Sequence, residues 1–160
     1  MNIFVLDRNI EKCAMYHSDM HVIKMVLESA QMLCTVLHEN GMNAPYKPTH
    51  RNHPCTLWAG RSLSNWLWLR NLALALNDEY MYRFEKEREH ASARVIRGLA
   101  LPPLEEKGLT VFAQAMPEQY RIPGDAVAAY RRYYVAEKAH FAVWTGREVP
   151  KWFEDARMNI

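Results

Sequence analysis

Polar side chains able to do chemistry are densest around residue 20. At about 100° per residue, four of them would share one stripe of a helix: His17, His21, Lys24 and Glu28. The two histidines have the i, i+4 spacing of metal ligands on a helix, and His50 or His53 could supply a further ligand. The same stripe is also compatible with an ordinary polar face carrying partly exposed histidines. The stripe is therefore one of two candidates for the functional site.

Asp19 belongs to the same cluster but points to the other side of the predicted helix, above Ile23 and Val26. Partial burial there would favour the protonated carboxyl group, which makes Asp19 a candidate acid, base or stabiliser of a cation. The position is equally compatible with a plain helix N-terminus, where a carboxylate interacts favourably with the helix dipole. Both interpretations remain open at this point.

Two segments combine basic groups, amides and aromatic rings. The first follows the predicted first helix and contains Lys47, His50, Arg51, Asn52 and Trp58. The second is closer to the C-terminus and contains Arg131, Lys138, Lys151 and Trp152. Basic groups contact phosphates and aromatic rings stack on bases, so both segments are predicted to bind nucleic acid. A loop made rigid by its prolines is the alternative for the first segment.

Three stretches carry apolar residues at helical spacing. The first is predicted to begin near Arg8, with Asp7 as its cap, and to end at Gly41; the second begins at Ser62. The third is predicted from Ala126 to Trp144, with Asp125 as its cap. Prolines interrupt the connections, and strand patterning is confined to the first six residues. The sequence therefore predicts an all-α, single-domain bundle of three long helices with irregular connections over residues 1–160.

Composition excludes several classes of protein. An apolar fraction of 49% and a charged fraction of 24% are typical of globular domains rather than disordered chains. The formal charge of +2 is too small to indicate nucleic-acid binding by itself. Three cysteines without a CxxC pair predict free thiols in a reducing cytoplasm. No stretch is long and apolar enough to predict a membrane span or a signal peptide.

Several blocks, in chain order, resemble a known family. They are HSDMHVI at 17–23, NHP at 52–54 with Trp58 and Gly60, MPEQYR at 116–121, EK at 137–138 and PKWF at 150–153. They resemble the pyrimidine-dimer DNA glycosylases, small helical repair enzymes typified by phage endonuclease V. By position, Asp19 replaces the glutamate of that family's first helix. Ser18 and Tyr134 stand where the family has arginines, so the fold could have been kept while the reaction changed.

The resemblance implies a mechanism in which the chain's own α-amino group attacks the sugar C1′ and forms an imine. Here the amine would be that of Met1, Asp19 would stabilise the charged sugar, and His21 or His53 would lie nearby. Such an amine is partly neutral, and hence nucleophilic, around neutral pH. The implied function is an N-glycosylase and abasic-site lyase in DNA repair or modification, which acts on a damaged or modified pyrimidine in duplex DNA without metal or cofactor.

Two alternatives belong to other classes. The first is a metal-assisted or transferase enzyme that acts on a nucleotide or modified base through His17, His21, Lys24 and Glu28. The second is a DNA-binding module without catalytic activity.

Overall fold

The computed structural model describes residues 1–159 and is all-helical, with no strand among those residues. Its α-helices are α1 (Ile10–Tyr16), α2 (Asp19–Glu39), α3 (Pro54–Ala59), α4 (Leu63–Arg83), α5 (Ala91–Arg97), α6 (Ala126–Tyr133) and α7 (Lys151–Met158). A 3₁₀ turn covers Glu118–Tyr120, and a π-helical turn, Tyr134–Lys138, continues α6. The predicted helical class is therefore confirmed.

Only two helices are long. α2 and α4 have 21 residues each, whereas α6 has eight. The expected third long helix is instead α6 followed by the π-helical turn, and helical geometry is lost before Trp144. Phe141, expected on its apolar stripe, lies beyond the helix. The C-terminal tail, where no helix was predicted, forms α7. Pro150 occupies its N-cap position, and Phe153 packs on Trp144.

The core is formed mainly by α2 and α4. Val26 and Leu33 of α2 and Leu69 and Leu76 of α4 have no exposed surface, as their helical spacing predicts. Each such side chain contributes roughly 1.5–3 kcal/mol by leaving water, so these stripes hold the two helices together. Ile23, expected on the core face, is 44% exposed, because the buried face at this end of α2 runs through Val22, Met25 and Val26.

The first predicted helix is divided in two. Asn9, not Asp7, caps α1, which ends at Tyr16, and α2 starts at Asp19. The guanidinium of Arg83 bonds the carbonyls that the end of α1 leaves free: Nη1 donates to His17 O at 2.7 Å and Nη2 to Met15 O at 2.9 Å. An arginine distant in sequence thus bonds the free carbonyls at this helix end, and no local sequence pattern predicts that contact.

The first residues are buried although they form no strand. Asn2 through Leu6 are at most 9% exposed, and Phe4 packs among the rings of His21, Tyr130 and Tyr134. The N-terminus is therefore held inside the helical core, beside the middle of α2.

α2 corrects one sequence-based expectation. By length and composition alone it could cross a membrane, contrary to the expectation that no stretch could. However, 72% of its apolar window is buried against the rest of the protein, which is typical of a core helix.

Candidate active site

The α-amino group of Met1 lies against a buried carboxylate. Its nitrogen is 3.0 Å from Oε1 of Glu28, whose side chain is 9% exposed. The Met1 side chain is only 3% exposed while the whole residue is partly exposed, so the accessible part of Met1 is its backbone. A nucleophilic group thus stands at the surface with a carboxylate beneath it.

Asn2 fixes the position of this amine. Its side-chain nitrogen donates to Ala115 O at 2.9 Å, and its Oδ1 accepts hydrogen bonds from the Ile3 amide at 2.8 Å and from the Tyr130 hydroxyl at 2.9 Å. Cys55 Sγ donates to the same oxygen at 3.5 Å. Four buried or partly buried partners therefore hold the residue next to the amine, which is the preorganisation that an active site needs.

A cavity of about 140 Å³ opens beside the amine. Its polar lining consists of Met1, Asn2, His21, Lys24, Glu28, Tyr133 and Lys138. Lys24 Nζ is 3.7 Å from Glu28 Oε2, and Lys138 Nζ lies 5.0 Å from the centre of the Tyr133 ring. One carboxylate and three cationic groups thus line the cavity, and this excess of positive charge suits a phosphate-bearing ligand.

The two carboxylate oxygens of Glu28 differ in their contacts. Oε1 meets the amine, whereas Oε2 is buried and has no hydrogen-bond partner among the described residues. Buried carboxylate oxygens are nearly always bonded, so Oε2, which has only the Lys24 ammonium at 3.7 Å, has room to accept a hydrogen bond from a water or a ligand. The alternative polar stripe identified this residue, but as a metal ligand rather than as the partner of the amine.

His21 lies in this cavity and is neutral. Burial, with smaller contributions from the nearby His17, Lys138 and Lys24, lowers the pKa of its ring to about 3. Phe4 stacks on the ring at 4.3 Å between centroids. The predicted neighbourhood of Met1 and His21 is therefore present.

His53 borders the same region. It caps α3, and its Nδ1 accepts the amide of Cys55 at 3.1 Å. Partial burial lowers its pKa, and the positive charge of the Met1 amine lowers it further while Glu28 acts in the opposite sense. His53 therefore lies within electrostatic range of both groups.

Asp19 does not face the amine, so the predicted pairing of Asp19 with Met1 is wrong. Asp19 and Glu28 are nine residues apart, which puts them on opposite faces of α2 and roughly 13 Å apart along its axis. Oδ1 of Asp19 accepts hydrogen bonds from Arg83 Nη1 at 3.2 Å and from the Thr145 amide at 2.9 Å, while Oδ2 bonds the Thr145 hydroxyl. Its carboxylate connects α2 to α4 and to the turn at Thr145.

The polar stripe is only partly assembled. His21, Lys24 and Glu28 line one cavity, but His17 precedes α2, is 1% exposed, and bonds Cys13 O at 2.7 Å through Nδ1. Neither histidine is exposed, contrary to the polar-face interpretation. Within residues 1–159, no three His, Cys, Asp or Glu side chains lie where they could hold a metal ion.

The loop predicted to bind nucleic acid is exposed at most of its candidate positions. They are Lys47, His50, Arg51 and Asn52. Arg51 Nε pairs with Glu39 at 3.1 Å, although its side chain stays 59% exposed. Trp58 is 1% exposed, stacks on Phe112 and donates to Thr110 O, so the prediction that its ring contacts nucleic acid is wrong. An aromatic residue at helical spacing belongs to the core here.

The C-terminal candidates differ among themselves. The Arg131 guanidinium is occupied by contacts within the protein. It bonds Leu6 O and Asp7 and lies over the Tyr16 and Trp152 rings. Trp152 is partly buried in that stack. Lys151 is exposed and pairs with Asp155 at 3.1 Å, and only Lys138 reaches the cavity of the amine.

Comparisons with protein-family models, curated proteins and solved structures each found no match.

Sequence reasoning missed Tyr133 and Tyr134. Tyr133 lines the cavity, and Tyr134 bonds His21 beneath it. The sequence predicted a regular helix from Ala126 to Trp144, and the π-helical turn that begins at Tyr134 has no pattern visible in the sequence.

Proposed function

We propose that this protein is a DNA-processing enzyme that uses the Met1 amine as its nucleophile and Glu28 as the accompanying carboxylate. Its reaction is N-glycosylase and abasic-site lyase chemistry on a damaged or modified pyrimidine. The observation that supports this most is the amine held 3.0 Å from a buried carboxylate at an open cavity.

The residues present fit each step of that chemistry. The amine attacks C1′ of the sugar, the bond from C1′ to the base breaks, and the base leaves with the bonding electrons and gains a proton. Glu28 accepts the proton that the amine loses and passes it to the leaving base, after which its carboxylate stabilises the cationic sugar. Ring opening then gives an imine between Met1 and C1′. Loss of a proton from C2′ breaks the C3′–O bond, so that the 3′ phosphate leaves with the bonding electrons, and water then hydrolyses the remaining imine to release the amine.

The surroundings fit a nucleic-acid substrate. Lys24 and Lys138 border the cavity, and the charge of the amine reaches His53 at the end of the loop that carries Lys47 and Arg51. These groups would bind the phosphates on either side of the sugar, and the target base would leave the stack to expose C1′.

Borohydride trapping on a duplex with one abasic site tests the proposal directly. Reduction of the imine should join protein to DNA, and one or two residues placed before Met1 should abolish trapping, because each residue moves the amine by about 3.8 Å. Glu28→Gln should slow trapping strongly, whereas Glu11→Gln, on an exposed site of α1, should not. Trapping that persists after the N-terminal extension would refute the amine as nucleophile.

A second function is favoured by the shared cavity of His21, Lys24 and Glu28. It is a transferase reaction on a nucleotide or modified base, as expected from the polar stripe. This function predicts no trapping with abasic DNA and a modified base as product, whereas binding with neither trapping nor product would indicate the non-catalytic module. Incubation with UV-irradiated duplex, followed by analysis of released bases, separates the three outcomes.

A further inference from the structure

Two buried histidines, His17 and His21, are four residues apart and have different Nδ1 partners. His17 Nδ1 is 2.7 Å from the backbone oxygen of Cys13. A carbonyl can only accept, so His17 carries its proton on Nδ1. His21 Nδ1 is 2.6 Å from the hydroxyl of Tyr134, which can donate or accept. The tautomer of His21 therefore depends on this one hydroxyl.

The partners of the Tyr134 hydroxyl indicate which group donates. Its oxygen already accepts the Ser18 amide at 3.0 Å. Its single proton has two acceptors within reach, His21 Nδ1 at 2.6 Å and Ser18 Oγ at 3.2 Å. The imidazole nitrogen is the nearer and more basic of the two, so the phenol proton goes to His21 Nδ1.

The surroundings keep the His21 ring in this orientation. Phe4 stacks on its face, and Phe141 meets it edge-on at 5.3 Å between centroids. The π-helical turn starts at Tyr134 and ends at Lys138, so the same wide turn brings the tyrosine beneath His21 and the lysine to the cavity. His21 Nε2 has no hydrogen-bond partner in the part of the chain described, although the residue lines the cavity.

We propose that Tyr134 is a positioning residue that fixes His21 in the Nε2-protonated tautomer, so that the ring presents a neutral hydrogen-bond donor to the cavity of the Met1 amine. This inference rests on the proposed function for its role in catalysis. There, the donor binds an oxygen that gains negative charge: the sugar ring oxygen when the ring opens to the imine, or the C2 carbonyl of a pyrimidine as the base leaves. Being uncharged, it does so without opposing the positive charge that develops on the sugar.

Nitrogen NMR of the ¹⁵N-histidine-labelled protein tests the assignment without any substrate. The signals are assigned by their loss in His17→Asn and His21→Asn. In the wild type we expect His17 protonated on Nδ1 and His21 on Nε2, so His17 is an internal reference of opposite tautomer. A His21 ring protonated on Nδ1 would overturn the proposal, whether or not the protein acts on DNA.

Tyr134→Phe tests the cause. The variant should turn His21 into a mixture of tautomers, leave His17 unchanged, and lower the trapping rate at saturating DNA about 10-fold, as loss of one oriented hydrogen bond implies, without changing the DNA concentration for half-maximal rate. An unchanged His21 spectrum would overturn the role of Tyr134. If the variant fails to fold, the wild-type spectrum still decides the tautomer. Failure of trapping in the wild type with an Nε2-protonated His21 would refute the glycosylase and lyase proposal and leave the tautomer assignment intact.

Discussion

Two charged clusters lie on opposite faces of α2, one around Asp19 and one around Glu28. In the first, Arg83 contacts both Asp19 and Glu79, and Arg147 makes two hydrogen bonds to Glu79, so every carboxylate oxygen is bonded and the charges balance. In the second, Glu28 keeps one oxygen unbonded among the described residues and positive charge is in excess. A saturated cluster holds helices together, whereas an unsaturated cluster has capacity left for a ligand.

The largest expected effect is on stability, through Arg83. Arg83→Leu leaves Asp19 and Glu79 without their shared partner and frees the carbonyls of Met15 and His17, so the free energy of unfolding should fall by about 3–5 kcal/mol. Urea unfolding measures it. Arg94→Leu, on an exposed ion pair, should change stability by less than about 1 kcal/mol. Equal effects of the two variants would show that the first cluster is not structural.

The next largest effect is on the trapping rate, and it distinguishes Glu28 from Asp19. Glu28→Gln should lower the trapping rate by about 10²–10³-fold, because it removes the proton acceptor beside the amine. Asp19→Asn should lower stability and leave the trapping rate of the folded protein within a few-fold, since its bonds go to Arg83 and Thr145. Rates are compared at a temperature where circular dichroism shows both variants folded. The opposite ranking would restore Asp19 as the catalytic carboxylate.

The two clusters also show what the sequence could predict. Helical stripes located α2 and α4 because the spacing of apolar residues is a local property, and the residues Met1, His21 and His53 were recognised as a set. Asp19 was assigned by its position in the family resemblance. The helical stripe already separated it from Glu28, but no local pattern shows that the N-terminal residues pack so that the Met1 amine meets Glu28. Trp58 was misassigned for a related reason, since composition does not show which side of a short helix is buried.

Lowering the pH should reduce the free energy of unfolding, because the buried His17 and His21 lie next to the two clusters. Burial lowers the pKa of His17 to about 4 and of His21 to about 3, whereas an unfolded histidine titrates near 6.5. Below pH 6.5 the unfolded chain therefore binds more protons than the folded one, and stability falls as pH falls. Each histidine should cost as much as about 2 kcal/mol between pH 7 and pH 5.

Urea unfolding at pH 7 and pH 5 measures this dependence. The His17→Asn variant should lose the contribution of that ring, about 2 kcal/mol, and replacement of the exposed His140 should leave the dependence unchanged. A pH dependence that stays the same in His17→Asn would mean that this ring is not held neutral in the folded protein.

The smallest effects concern single cations at the rim of the Glu28 cluster. Each lysine that contacts a phosphate of duplex DNA should contribute about 0.9 to the slope of log affinity against log salt, so Lys24→Ala and Lys138→Ala should each lower the slope by roughly that amount.

Arg131 was predicted from sequence to be a third such cation, but its guanidinium already bonds Leu6 O and Asp7. Arg131→Ala should therefore reduce stability and leave the slope nearly unchanged. Binding titrations of an abasic duplex, in which sodium borohydride is omitted, measure the three slopes over a range of salt concentrations. If Arg131→Ala changes the slope as much as Lys138→Ala does, DNA contacts extend to the face where Arg131 lies, and the phosphate-binding surface is not confined to the unsaturated side of α2.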